Sequence, residues 1–105
     1  MPEVKVRFML PLRDNDGRDL SAEVAEVEDH VYVSFGAWTQ EGYYKGAWRL
    51  RATGERQIDT SAVYFVIISE DRLPELEAIL RRFKSKTKQD AIYLEIERHV
   101  EVRFL

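Results

Sequence analysis

Val4, Val6, Phe8, Leu10 and Leu12 alternate with Lys5, Arg7, Met9 and Pro11 near the start of the chain. A period of two places the first set on one face of a strand and predicts that this face is buried. Pro11 has no amide hydrogen, so the strand is expected to end where no neighbour needs a donor. Arg13-Asp14-Asn15-Asp16-Gly17 follows with turn chemistry, since Asp and Asn bond back to their own backbone and glycine tolerates a positive φ. From Leu20 the period changes. Leu20, Val24, Val27, Val31 and Phe35 recur at helical spacing, with Ser21 expected as N-cap, Glu23 in the first turn and Gly36 as the stop. Val31, Val33 and Phe35 also satisfy strand alternation, and helix is the reading retained.

Tyr44, Gly46, Trp48 and Leu50 alternate with Lys45, Ala47, Arg49 and Arg51, which predicts a second strand beginning near Gly42 and a turn at Gly54. Ser61–Ser69 is apolar at both parities, as a central strand covered on two sides would be, the second side by helices or by a partner subunit. Asp71 is the expected cap of a second helix with Pro74 in its first turn and Leu73, Leu76, Leu80 and Phe83 on one face. Ile92, Leu94 and Ile96 share a parity that Val100, Val102 and Phe104 continue beyond Arg98. The last strand is therefore expected to be long, or bent into two pieces. The order strand, helix, strand, strand, helix, strand is the split βαβ pattern (βαββαβ). Right-handed crossovers then give an α+β, ferredoxin-like antiparallel sheet with the first and third strands central, two helices on one face and room for an extra C-terminal strand.

Composition narrows this reading. The chain has 105 residues, 45% of them hydrophobic and 33% charged, so one domain over residues 1–105 with a single two-layer core is expected and disorder is not. It contains no cysteine, which excludes disulfides, thiol nucleophiles and zinc-thiolate sites. The longest apolar run, Ala62–Ile68, is far short of a membrane span, and the opening Met1-Pro2-Glu3-Val4-Lys5 does not resemble a signal peptide. A cytoplasmic protein without a membrane partner is the expectation. With His30 and His99 as its only histidines, the chain has no metal-binding histidine pair, and no metal or cofactor is expected. The Asp14 loop fails the EF-hand spacing, which would put its glycine at Asp19 and its glutamate at Ala25. No nucleophile elbow and no phosphate loop occur.

Nucleic-acid binding has one basis, the cations Arg81, Arg82, Lys84, Lys86 and Lys88 at the end of the second helix. Against it stand a net charge of -3 and the lack of the basic-Gly-aromatic pattern that stacks bases on central strands. Cations at a helix C-terminus also stabilise the helix dipole by about 0.3–1 kcal/mol each without any ligand, so nucleic acid is the weakest of the functional readings.

The most informative residues are Phe35-Gly36-Ala37-Trp38-Thr39, Gly46-Ala47-Trp48 and Gln89-Asp90-Ala91-Ile92-Tyr93. In order and spacing they resemble a family of short bacterial proteins with F-G-[GA]-x-T, G-x-W and Q-[DE]-A-[IV]-Y motifs. The resemblance implies a ferredoxin-like fold but brings no activity, and catalytic residues stay unknown. Physically, Trp38, Thr39, Tyr43, Tyr44, Trp48 and Gln89 are the candidate ligand- or partner-binding residues, as an aromatic pocket with a few polar groups suits a small molecule. The competing assignment puts Trp48 in the core and Trp38 under a loop or in an interface. The leading functional expectation is a binding or structural module that self-associates as a homodimer through its sheet. The alternative is a small-molecule enzyme on that dimeric sheet, with Thr39, Tyr43, Tyr44 or His30 as acid–base or orienting groups.

Overall fold

The computed structural model describes residues 2–105. In chain order its elements are β1 (Glu3–Pro11), α1 (Ser21–Phe35), β2 (Thr39–Arg49), β3 (Arg56–Ser69), a 3-10 turn (Glu70–Arg72), α2 (Leu73–Thr87) and β4 (Leu94–Glu97). They form a 4-stranded antiparallel sheet in the order β2-β3-β1-β4. Each helix crosses from one strand to the strand two places along, so the split βαβ pattern is realised with β1 and β3 at the centre.

The alternation in β1 and β3 sorts side chains onto two faces. Val4, Val6, Phe8 and Leu10 of β1 meet Ala62, Tyr64, Val66 and Ile68 of β3 on the helix side. Val24, Val27 and Val31 of α1 and Leu73, Leu76, Leu80 and Phe83 of α2 close over them. Each such side chain contributes about 1.5–3 kcal/mol when fully withdrawn from water. Phe8 stacks on Tyr64 at 5.4 Å between ring centroids, and Trp38 meets Tyr64 edge-on at 5.6 Å.

The helix ends depart from the expected caps. Ser21 is the first helical residue; its amide and hydroxyl both donate to the Asp19 carboxylate, at 3.2 and 2.7 Å. Those bonds, the hydroxyl first, hold the Asp19 carboxyl below the usual carboxylate range. Gly36 does end α1, left-handed at φ 83, with its amide donating to the Tyr32 carbonyl. Asp71 lies within the 3-10 turn and does not cap α2, which begins after Arg72 with Pro74 in its first turn. At the other end Lys88 takes the left-handed cap position, φ 56, that glycine usually fills.

β2 begins at Thr39, earlier than Gly42, and β3 at Arg56, so the hairpin they form is longer than its sequence pattern suggests. By contrast, β4 is short and no strand follows it within residues 98–105. Register limits how far it could extend: Glu97 pairs with Lys5, so an antiparallel continuation would meet only Val4 and Glu3 before Pro2, which has no donor. The alternating tail Val100, Val102, Phe104 has no neighbour left to pair with.

Candidate ligand-binding cleft

The face of the sheet turned away from the helices carries the chemistry. β1 contributes Lys5, Arg7, Met9 and Pro11 to it, paired with Ile67, Phe65, Val63 and Ser61 of β3. Val63 is buried here, between Met9 of β1 and Gly42 of β2, although no helix covers this side. Lys5 sits 4.6 Å over the Phe65 ring, and Arg7 spans three strands. Its Nη1 donates to Glu95 of β4 at 2.7 Å, while its Nε and Nη2 donate to Glu41 of β2 at 2.7 and 3.2 Å. Glu41 reaches this position because a bulge shifts the β2 register between Gln40 and Gly42, with Gly42 at φ 141. The two carboxylates hold the Arg7 guanidinium charged, and Arg7 holds the Glu41 carboxyl below its usual range.

Beyond Pro11↔Ser61 one further backbone bond joins the two segments, the Leu12 amide donating to the Thr60 carbonyl at 3.0 Å, and there the β1–β3 pairing ends. The outer part of the β2–β3 hairpin thus continues as a two-stranded arm, whose far end returns to the rest of the fold: the Arg51 amide donates to Asp90 Oδ2 at 3.3 Å. Between arm and sheet lies a cleft of about 270 Å³, close to the lower end of the ~300–1,000 Å³ typical of small-molecule sites. Trp48, Gln57 and Asp59 line it from the arm, Met9 and Ser61 from the sheet, and Gln89, Asp90 and Tyr93 from the segment joining α2 to β4. Trp48 is 47% exposed and its indole Nε1 lies 3.6 Å from where a Cβ on Gly46 would stand, so the ring rests along the same face of the arm. Gln57 Nε2 donates to Asp59 Oδ1 at 3.4 Å, and Gln89 Nε2 to the Thr87 carbonyl at 3.4 Å.

Of the residues singled out in the sequence, the structure brings Trp48 and Gln89 together in this cleft. Trp38 packs against the core instead. Thr39 is at the exposed start of β2, opposite Phe65; Tyr43 is exposed on the helix side of β2, opposite Ala62; Tyr44 is exposed on the open face without lining the cleft. His30 is on α1, on the other side of the sheet from the cleft, near Glu26 and Lys86. Asp59, Asp90 and Tyr93 join Trp48 and Gln89 as lining residues beyond the candidates read from the sequence. Their signal was the polar parity Gln57, Asp59, Ser61 opposite the Trp48 face, and the motif that carries Asp90 and Tyr93 beside Gln89.

The basic end of α2 is largely paired: Lys86 lies 2.6 Å and Arg82 3.8 Å from Glu26, and Arg81 lies 3.2 Å from Glu77. Among the described residues no three His, Asp or Glu side chains are grouped as a metal site needs, and no helix is long and apolar enough to cross a membrane.

No protein-family model and no curated sequence matches the chain. Among solved structures it is similar in fold to a phage SAM lyase in complex with S-methyl-5'-thioadenosine. The TM-score is 0.68 at 17% sequence identity, and the match covers 93% of this chain and 83% of that one. At that identity the likeness concerns the fold, a small α+β domain.

Proposed function

We propose that this chain is a small-molecule-binding domain whose cleft takes an adenine nucleoside bearing a 5'-thioether or sulfonium group. The observation that carries the reading is the meeting of Trp48 with Gln89, Asp90 and Tyr93 in one cleft, from segments far apart in the chain. An indole and a phenol offer flat faces to a purine, each stack contributing about 1–3 kcal/mol. The Gln89 amide suits the adenine edge, and the half-buried Asp59 carboxylate suits ribose hydroxyls or a cationic sulfur. The similarity in fold to a lyase complexed with S-methyl-5'-thioadenosine supports this choice of ligand.

Trp48 is its own reporter, because the chain has two tryptophans and the other, Trp38, packs on Tyr64. Titration of S-methyl-5'-thioadenosine, and separately of S-adenosylmethionine, is expected to change Trp fluorescence saturably. Tyr93→Ala is expected to weaken that response about tenfold or more, the equivalent of one lost stack. No change in fluorescence or in melting temperature with either compound would defeat the proposal. Chromatography of the S-adenosylmethionine mixture then separates the two classes: binding without conversion makes the domain a binding module, and release of a thioether nucleoside makes it an enzyme.

A further inference from the structure

Two parts of the molecule lack cover, and they complement each other. The first is the tail after β4. Val100, Val102 and Phe104 keep strand periodicity, yet the segment forms no strand pair with the described residues; Val100 and Val102 are half-buried and Phe104 is 82% exposed. The second is β2, an edge strand whose only neighbour among the described residues is β3. Its outer backbone groups are free along Thr39–Arg49, and its helix-side row runs Tyr43, Lys45, Ala47, all exposed, with Tyr43 64% exposed. An uncovered edge of this length is a ready template for an added strand, and a two-stranded arm is only marginally stable without further packing.

The geometry points to strand addition between copies of this chain: the tail Val100–Leu105 of one copy pairs with the free edge of β2 in a second copy. The parity is right. Leu94 and Ile96 lie on the helix side of the sheet, opposite Phe8 and Val6, and the same parity continued through Val100, Val102 and Phe104 brings its apolar side chains onto the helix-side row of β2, Tyr43, the Lys45 stem and Ala47. The main chain supplies the attraction and the alternate side chains the fit. A tail cannot reach β2 of its own copy by simple continuation, because β4 and β2 are at opposite edges of the sheet. Tail and edge are different surfaces, so the contact repeats head to tail until a ring of copies closes.

The absence of cysteine makes the test direct. Tyr43→Cys and Phe104→Cys, each made singly at an exposed position, are mixed and oxidised, and the products are separated on a non-reducing gel and mapped by mass spectrometry. Covalent dimers joining position 43 of one copy to position 104 of another are expected to dominate. In parallel, sedimentation of the native chain is expected to give a multiple of the chain mass, and Phe104→Ser to raise the dissociation constant about tenfold or more with an unchanged circular dichroism spectrum. A native chain that sediments as a monomer throughout overturns the inference. So does an assembly that survives deletion of residues 100–105, or cross-linking confined to 43–43 or 104–104 pairs.

Discussion

Arg7 shows how a single bulge shapes the open face. Without the extra residue in β2, Glu41 would continue the ladder; with it, the Glu41 carboxylate meets Arg7 in a two-bond fork while Glu95 holds the same guanidinium from β4. Removing the cation leaves two carboxylates facing each other across the sheet. Because side-chain exposure is 23% for Arg7 and 25% for Glu41, the pairs belong nearer the surface scale of about 0.2–1 kcal/mol each than the buried one. Arg7→Met is therefore expected to lower unfolding free energy by about 1–2 kcal/mol in urea titrations at pH 7. Adding Glu41→Gln and Glu95→Gln should restore most of that loss, since the repulsion is then gone. An unchanged midpoint in the single variant would show that the fork is ornamental. Nothing in the sequence marks this triad: Arg7 reads as an ordinary outward residue of an alternating strand, and its partners come from a bulge and a distant strand.

At the level of elements, the pattern was readable wherever one face packs against the core. The period of two in β1 and the 3.6-residue period of α2 correspond to the buried sets Val4, Val6, Phe8, Leu10 and Leu73, Leu76, Leu80, Phe83. Element ends were less readable because they depend on neighbours. β4 ends at Glu97, opposite Lys5 and two residues short of the start of β1, and β2 starts at Thr39, opposite Phe65. Two of the cleft residues, Trp48 and Gln89, stood out as an aromatic and a motif amide; Asp59 did not, since its role depends on the Arg51–Asp90 contact that returns the arm to the fold. The cap of α2 offers a test at this scale. Lys88 sits at φ 56, where a side chain costs roughly 1–2 kcal/mol, partly offset by the greater freedom of glycine in the unfolded chain. Lys88→Gly is thus expected to stabilise the protein by about 0.5–1 kcal/mol, read as a rise in melting temperature. A fall would mean that the lysine side chain makes a compensating contact.

Over the whole molecule, bonded carboxylates fasten local turns, as Asp14 and Asp19 do, and join distant segments, as Glu26 and Glu41 do. Asp14 is held low by the Arg18 amide, Asp19 by the Ser21 hydroxyl, Glu26 by Lys86 and Glu41 by Arg7. Each has a folded pKa below its unfolded value of about 3.9 for Asp or 4.3 for Glu. Their contribution is therefore present above about pH 4–5 and is lost as pH falls through the folded values. Urea midpoints should stay level from pH 7 to about pH 5 and decline below about pH 4. They should decline less steeply in about 1 M salt, where charges are screened beyond roughly 3 Å. A midpoint that rises on acidification would reverse the sign of this assignment.

The sheet order also dictates when the fold can be completed during synthesis. β1 leaves the ribosome before both of its neighbours, β3 and β4, and β4 is the later of the two. At about 5–20 residues per second, β1 waits on the order of ten seconds for its second edge to be covered. Until Leu94–Glu97 emerges, the nascent chain carries an open apolar strand of the kind that recruits chaperones or seeds aggregation. Ribosomes stalled with β4 still inside the exit tunnel should therefore hold a chain that is more chaperone-dependent than ribosomes stalled after β4 has emerged.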